Sequence, residues 1–283
     1  MPKVSIITIN YNDQKGLVKT IESVINQTHL DFEYIIIDGN SSDGSKEIIQ
    51  KYKNKITYSI SEPDSGIYNA MNKGIKVAKG DYLLFLNSGD QFIDEKVIEK
   101  IIPQLNNEIS IYYGNLVYSS NGIPKMLNIP PSELSFSYFL DYSLPHPASF
   151  IKRELFFKYF TYNESLKIIS DWEFFIYTIC KMNEPYKHID IVIADFDDGG
   201  ISSLKENNQS LINERNQVLK SHFPLFQDEI KLIEEIKSKK FSQYKCIMDS
   251  RFRRKVLKRV VKLLLIFKTE EVSKFSEYYQ KIN

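Results

Sequence analysis

Four polar turns hold the residues best suited to chemistry in this chain. They carry Asn10 and Asn12, then Asp38, then Glu62 and Asp64, and last Asp90, which closes Asn87-Ser88-Gly89-Asp90. Carboxylates accept hydrogen bonds from ribose or sugar hydroxyls and can hold a divalent cation. Singly, each of these residues also suits an ordinary turn or cap; jointly they define a site for a polyhydroxylated ligand. A further acidic pair lies in Ile168-Ile169-Ser170-Asp171-Trp172-Glu173. Ser170 and Glu173 ahead of an apolar run have the form of a capping box, so Glu173 reads as helix initiation. Asp171 then falls in the first turn, where it suits either the helix dipole or a proton-accepting role.

The elements that must position these residues follow from periodicity. β-Branched or apolar runs at 4–9, 32–37, 57–61 and 82–86 read as strands. Helical patterns separate them: Leu17, Ile21, Val24 and Ile25 share one face, Ile48, Ile49 and Tyr52 another, and residues 67–78 form a third helix. Ser42 or Asp43 is the expected cap of the second helix. Repeated βα units argue for an α/β protein with a parallel, doubly covered sheet. Each polar turn then opens on the carboxyl edge, where open α/β sheets bind ligands.

Beyond residue 90 the pattern becomes mixed. A helix is expected at 94–105, strands at 109–113 and 116–118, a tight turn at Asn121-Gly122 and a strand at 125–127. Phe136, Phe139 and Leu140 give 132–142 a helical face. A strand at 189–194 leads into Asp195-Phe196-Asp197-Asp198-Gly199-Gly200, which suits a flexible loop or an ordinary turn.

Composition excludes several classes. With 283 residues, 42% of them hydrophobic and 26% charged, the chain can bury a core without disulfides. Cys180 and Cys246 lack the spacing of a zinc site and suit a reducing compartment. The N-terminal apolar run is too short for a signal peptide, and nothing approaches the ~18 apolar residues of a spanning helix, so residence in the cytoplasm is expected. After the first strand, Asn10-Tyr11-Asn12-Asp13-Gln14-Lys15-Gly16 lacks the dinucleotide fingerprint, and a Walker phosphate loop is also absent. Bound phosphates would need another counter-charge, most simply a metal ion.

The ordered series is specific. Val4-Ser5-Ile6-Ile7-Thr8 with Asn10-Tyr11-Asn12 precedes Asp38-Gly39-Asn40-Ser41-Ser42-Asp43-Gly44, then Glu62-Pro63-Asp64-Ser65-Gly66-Ile67-Tyr68-Asn69-Ala70-Met71-Asn72, then Leu86-Asn87-Ser88-Gly89-Asp90. It resembles glycosyltransferase family 2, the inverting enzymes with a GT-A nucleotide-diphospho-sugar transferase fold, over residues 3–205. The resemblance implies a Rossmann-like, mostly parallel mixed sheet covered by helices, with a catalytic domain at 1–204. Within it, 1–90 would be the nucleotide-binding half and 91–204 the acceptor-side half, followed by a helical extension at 205–250.

By the same resemblance, Thr8, Asn10, Asn12, Asp38, Asp64, Asn72 and Asn87 would bind the nucleotide sugar, with UDP as the expected nucleotide. Asp90 would bind Mg²⁺ or Mn²⁺, His146 and Trp172 would contact substrate, and Asp171 would be the catalytic base. His146 also suits a structural role. Asn87 and Gly89 stand where many members carry carboxylates, and Met71 where many carry Arg, which bears on the metal site. The implied reaction is metal-assisted transfer of a sugar to a lipid-linked or growing saccharide in bacterial surface polysaccharide assembly. The alternatives are a glycosidase, which needs a converging carboxyl pair that Asp171 and Glu173 do not supply, and a catalytically degenerate nucleotide-binding or scaffold protein.

The net charge of +1 hides a basic stretch from Arg251 to Lys268 in which Arg, Lys and apolar residues interleave. A helix over 251–283 would carry an apolar face bordered by cations, suited to the surface of an anionic membrane or to packing on the domain. No nucleic-acid recognition fold accompanies it. Peripheral attachment to the inner face of the cell membrane is therefore expected.

Overall fold

The computed structural model describes residues 2–120, 122–197, 208–237, 243 and 246–264. The chain divides into two compact units, Met1–His222 and Phe223–Asn283.

The first unit is built on β1 (Val4–Asn10), β2 (Glu33–Asp38), β3 (Tyr58–Ser61) and β4 (Tyr82–Phe85). β1 pairs in parallel with β2 and β4, and β2 with β3. Every residue of β1, β2 and β4 is buried, as the unbroken apolar runs require of strands covered on both faces. The register sets Asn10 beside Asp38 and Asp38 beside Ser61, so three carboxyl ends finish flush. α1 (Gln14–Ile25), α2 (Ser45–Lys51) and α3 (Ile67–Val77) connect these strands. Leu17, Ile21 and Val24 of α1 join Val4, Ile6, Tyr34 and Leu84 in one buried cluster. Each such side chain contributes about 1.5–3 kcal/mol by leaving water. Gly74 lets α3 lie close on β1, since a Cβ there would sit 2.6 Å from Ile7 Cγ2.

The other strands are β5 (Gln91–Phe92), β6 (Ile111–Ser120), β7 (Ile123–Asn128), β8 (Ser149–Lys152) and β9 (Tyr186–Asp197). Among the described residues the sheet has nine strands in the order β3-β2-β1-β4-β8-β6-β9-β5, with β7 on β6. β8 runs antiparallel to β4 and β6, while β9 runs parallel to β6. The connecting helices are α4 (Val97–Ile101), α5 (Phe136–Asp141), α6 (Glu154–Lys158), α7 (Ser170–Ile176) and α8 (Asn208–His222).

Several local expectations change. The strands expected at 109–113 and 116–118 are one strand, whose register shifts around Asn115. Gly114 permits this continuity, because a Cβ there would lie 2.7 Å from Ile191 O of β9. The helix expected at 94–105 shortens to α4 plus a 3₁₀ turn, Ile102–Gln104, where Pro103 lacks an amide donor. α2 is entered through Gly44 at φ +98°, and Asp43 Oδ1 accepts the first helical amide, Ser45 N–H, at 3.1 Å, in keeping with the expected cap. The capping box is absent: Ser170 lies inside α7 and its Oγ accepts Asn163 N–H, while Glu173 pairs with His222 at 2.8 Å. The expected loop at 195–200 begins as strand through Asp197, and its remainder lies outside the described residues.

In the second unit, α9 (Gln227–Lys237) precedes α10 (Arg251–Leu264). No helix among the described residues is long and apolar enough to cross a membrane.

Candidate active site

The flush strand ends are tied by one hydrogen-bond network. Ser88 Oγ donates to Asn10 Oδ1 at 2.8 Å, and Asn10 Nδ2 donates to Asp38 Oδ1 at 2.7 Å. Asp38 also accepts from Ser41 Oγ at 2.6 Å, from Ser41 N–H at 3.0 Å, and from Ser61 Oγ. Burial pushes the Asp38 pKa up, but the bonds from Ser41, Ser61 and Asn10 outweigh it and hold the carboxyl below its ordinary value. Asp38 is therefore an ionised clamp on the ends of β1, β2, β3 and β4.

Above this clamp opens a cavity of about 1230 Å³. Asn10, Asp64, Asn87, Asp90, His146 and Asp171 line it. Thr8, Asn12, Asp38 and Asn72 stand outside that lining. Thr8 Oγ1 donates to Leu86 O at 2.7 Å, and Asn12 donates its backbone N–H to Ser41 Oγ at 2.8 Å while its Oδ1 accepts Ser42 N–H at 2.9 Å. Asn72 is buried and bridges α3 to Tyr162 and Glu164. Thr8, Asp38 and Asn72 are buried, whereas Asn12 is exposed.

The turn carrying Asp90 is fixed by α1. Thr20 Oγ1 lies 2.6 Å from Asp90 O and accepts Gly89 N–H, with Gly89 at φ +98°. Asp90 is 3% exposed. Burial raises its pKa well above the usual carboxylate range, opposed by backbone amides of Asp197 and Asn87 and by Lys19. The buried Asn87 Oδ1 has no hydrogen-bond partner among the described residues. No group of three or more His, Cys, Asp or Glu among the described residues is arranged to hold a metal. Two oxygen-bearing side chains, Asn87 and Asp90, nonetheless offer the hard donors that suit Mg²⁺ or Mn²⁺, ions that complete their shells with water and substrate oxygens.

Sequence reasoning missed Lys15 and Lys19 on α1, which line the same cavity and bring positive charge to it. It also missed Tyr68, whose hydroxyl donates to Asp171 Oδ1 at 3.2 Å. Burial pushes the Tyr68 pKa well up, and the charge of Asp171 adds to this, so the phenol stays protonated as donor. The turn before Asp171 is anchored by Glu214 of α8, which accepts the amides of Lys167 and Ile168 at 2.9 and 3.1 Å.

A second cavity, of about 670 Å³, lies on the other side of Asp171. It is lined by Tyr118, Met126, Ile129, Tyr138, Tyr142 and Arg215, together with Asp171, His146 and Trp172. Asp171 is the acidic residue common to both linings. His146 also borders both, but its Nε2 lies 2.8 Å from the Tyr162 hydroxyl and its ring stacks on Phe85. Burial lowers its pKa, only partly opposed by Asp171, which keeps the ring neutral. Trp172 is almost fully buried and its indole N–H donates to Phe139 O at 2.8 Å, so it forms floor rather than a polar contact.

Residues 5–151 match the family described as glycosyl transferase family 2. The chain belongs to that family. It is 34% identical over 208 residues to an uncharacterized glycosyltransferase of Mycobacterium tuberculosis strain H37Rv, covering 72% of this chain and 79% of the relative. A putative teichuronic acid biosynthesis glycosyltransferase of Bacillus subtilis is 31% identical over 137 residues, covering 46% of this chain and 54% of that one. The fold is of the GT-A type: S. aureus TarS 1-349 in complex with UDP-GlcNAc aligns with a TM-score of 0.56 at 20% identity, over 69% of this chain and 58% of that one. The GDP-Man and Mn²⁺ complex of a Pyrobaculum calidifontis mannosyltransferase aligns with a TM-score of 0.55 at 12% identity, over 94% and 81%. In this family 2 chain, the polar cavity at the sheet edge and the aromatic cavity share Asp171 and His146 in their linings.

Proposed function

We propose that this glycosyltransferase moves a sugar from a nucleotide sugar, with UDP as the nucleotide, to a hydroxyl of a lipid-linked or growing saccharide in bacterial surface polysaccharide assembly. The observation that carries the reading is Asp171, a carboxylate lining both a polar cavity and an aromatic one. UDP-GlcNAc in the TarS complex supports the donor class, and the teichuronic acid relative supports the acceptor class.

In the polar cavity, Asn10, Asp64 and the exposed ring of Tyr11 hold the nucleoside, with the Asp38 network keeping the floor rigid. Lys15 and Lys19 face the diphosphate. Asn87 and Asp90 would hold Mg²⁺ or Mn²⁺, which would supply charge neutralisation on the departing nucleoside diphosphate. Asp171 accepts the proton of the acceptor hydroxyl as its oxygen bonds to the anomeric carbon on the face opposite the leaving diphosphate, so the configuration inverts. Tyr68 holds that carboxylate by its hydrogen bond.

The basic helix α10 supports residence at the inner face of the cell membrane. Phe252 and Leu263 are 76% and 63% exposed beside Arg251, Arg253, Arg254, Lys255, Lys258, Arg259 and Lys262. Anionic lipid attracts such a helix by charge and takes up its apolar side chains. Deleting residues from Lys255 onward should abolish sedimentation with anionic liposomes; unchanged sedimentation would remove this attachment from the account.

Calorimetric titration with UDP and a panel of nucleotide sugars, with and without Mn²⁺, tests the central reading. Tight, metal-dependent binding of one donor, weakened by Asp90→Ala, is the expected result. Failure to bind any nucleotide would overturn it in favour of a scaffold role.

A further inference from the structure

The second cavity contains a charge that the transfer reaction as described leaves without a task. Arg215 of α8 lies over the ring of Trp172, 5.1 Å from its centroid. Its Nη1 donates to Leu140 O and Asp141 O, both at 3.3 Å. Its Nε is buried without a partner, and it forms no salt bridge with any described residue. Burial lowers its pKa, and Asp171 and Asp141, acting through space, only partly restore it. A guanidinium nevertheless stays protonated in proteins, so a cation is kept partly out of water with no carboxylate of the described residues in salt-bridge contact. Packing alone explains this poorly, because an apolar side chain would cover Trp172 at lower cost.

The surroundings define what fits. Tyr138 and Tyr142 stack with ring centroids 5.5 Å apart, and Tyr142 and Met126 are 62% and 58% exposed. Flat aromatic faces suit the C–H face of a sugar ring. At one side of the cavity stands Asp171, which takes the acceptor proton; Arg215 belongs to the same lining. His146, the other basic residue of that lining, is kept neutral by burial.

We propose that the acceptor saccharide carries an oxyanion, a phosphate or a carboxylate, and that Arg215 binds it while Tyr138 and Tyr142 cover the sugar. This rests on the transferase reading above and names its acceptor class. A planar guanidinium offers parallel N–H donors to either oxyanion, so both sources share one recognition chemistry.

Trp172 is the chain's single tryptophan and lies beneath Arg215, so its fluorescence reports directly on this site. The full chain, saturated with UDP and Mn²⁺, would be titrated with N-acetylglucosamine 1-phosphate, methyl glucuronide and methyl glucoside. At least one anionic sugar should quench saturably and bind at least about tenfold more tightly than the neutral glucoside. Preference for the 1-phosphate identifies a phosphate such as that of a lipid carrier, and preference for the glucuronide identifies an acidic sugar of the growing chain. Arg215→Gln should erase the preference and leave UDP affinity unchanged, whereas Arg215→Lys should keep part of it. Equal affinity for all three sugars in the wild type, or a preference that survives Arg215→Gln, would overturn the proposal. Absence of UDP binding in the same sample would instead count against the transferase reading.

Discussion

The two cavities that meet at Asp171 are built by opposite means. The polar one sits at the ends of β1 to β4, and its walls come from turns that directly follow strands. Beneath it the Asp38 carboxylate is stabilised by hydrogen bonds from Asn10, Ser41 and Ser61. The aromatic cavity is assembled from β6, β7, α5, the turn before α7, the end of β9 and α8, segments far apart in sequence. Its cation, Arg215, feels Asp171 and Asp141 through space but makes no salt bridge with a described residue. A ligand compartment with a satisfied network is rigid before binding, and one with an unpaired cation is completed by its ligand.

This contrast predicts distinct responses to substitution. Asp171→Asn should have the largest effect, lowering kcat about 10³-fold while UDP affinity stays unchanged, because only the proton-accepting step is removed. Steady-state turnover beside a UDP titration measures both; parallel loss would place Asp171 in the donor cavity alone. Asp38→Ala should cost about 2–3 kcal/mol of stability, since it leaves buried donors unpaired. A denaturant titration reads this, and a neutral outcome would deny the clamp.

The Asp38 pKa also fixes a pH dependence. It lies below the unfolded value of about 3.9, so the native state binds fewer protons through this group. Its contribution to stability is therefore present above about pH 4 and is lost as pH falls through the folded value. Asp38→Asn should remove that part of the acid sensitivity in melts taken between neutral and acid pH.

Tyr68→Phe should lower kcat about tenfold, the scale of one hydrogen bond to a charged group, with UDP affinity unchanged. Lys19→Ala should weaken UDP binding about threefold at low salt, and the difference should disappear near 1 M salt as screening removes the attraction. A change in kcat alone would show that Lys19 acts on the acceptor side.

The same contrast explains what could be read from residue order. The parallel half of the sheet was legible because four apolar runs alternate with helical patterns, and each polar turn falls at a strand end by topology. The place of Asn10, Asp64, Asn87, Asp90 and Asp171 in the cavity lining follows from that topology or agrees with the family resemblance, while their roles are proposals. Thr8, Asp38 and Asn72 are buried and hydrogen-bonded within the protein, a placement that sequence spacing does not show. Tyr68 and Arg215 were missed, since their partners lie far away in the chain. Arg215 had left a trace: it sits four residues after Leu211 and three before Val218, a cation within an apolar helical stripe. Ser170 and Glu173 matched a local capping pattern, but tertiary partners, Asn163 and His222, took both side chains.

The division of labour between the cavities is most directly tested by calorimetric titration of UDP, with Mn²⁺ present, into the wild type, Asp90→Ala and Tyr138→Ala. The account predicts that Asp90→Ala weakens UDP binding strongly and that Tyr138→Ala leaves it unchanged while transfer to acceptor falls. Equal weakening by both substitutions, or full UDP affinity in Asp90→Ala, would contradict the assignment of one cavity to the donor and the other to the acceptor.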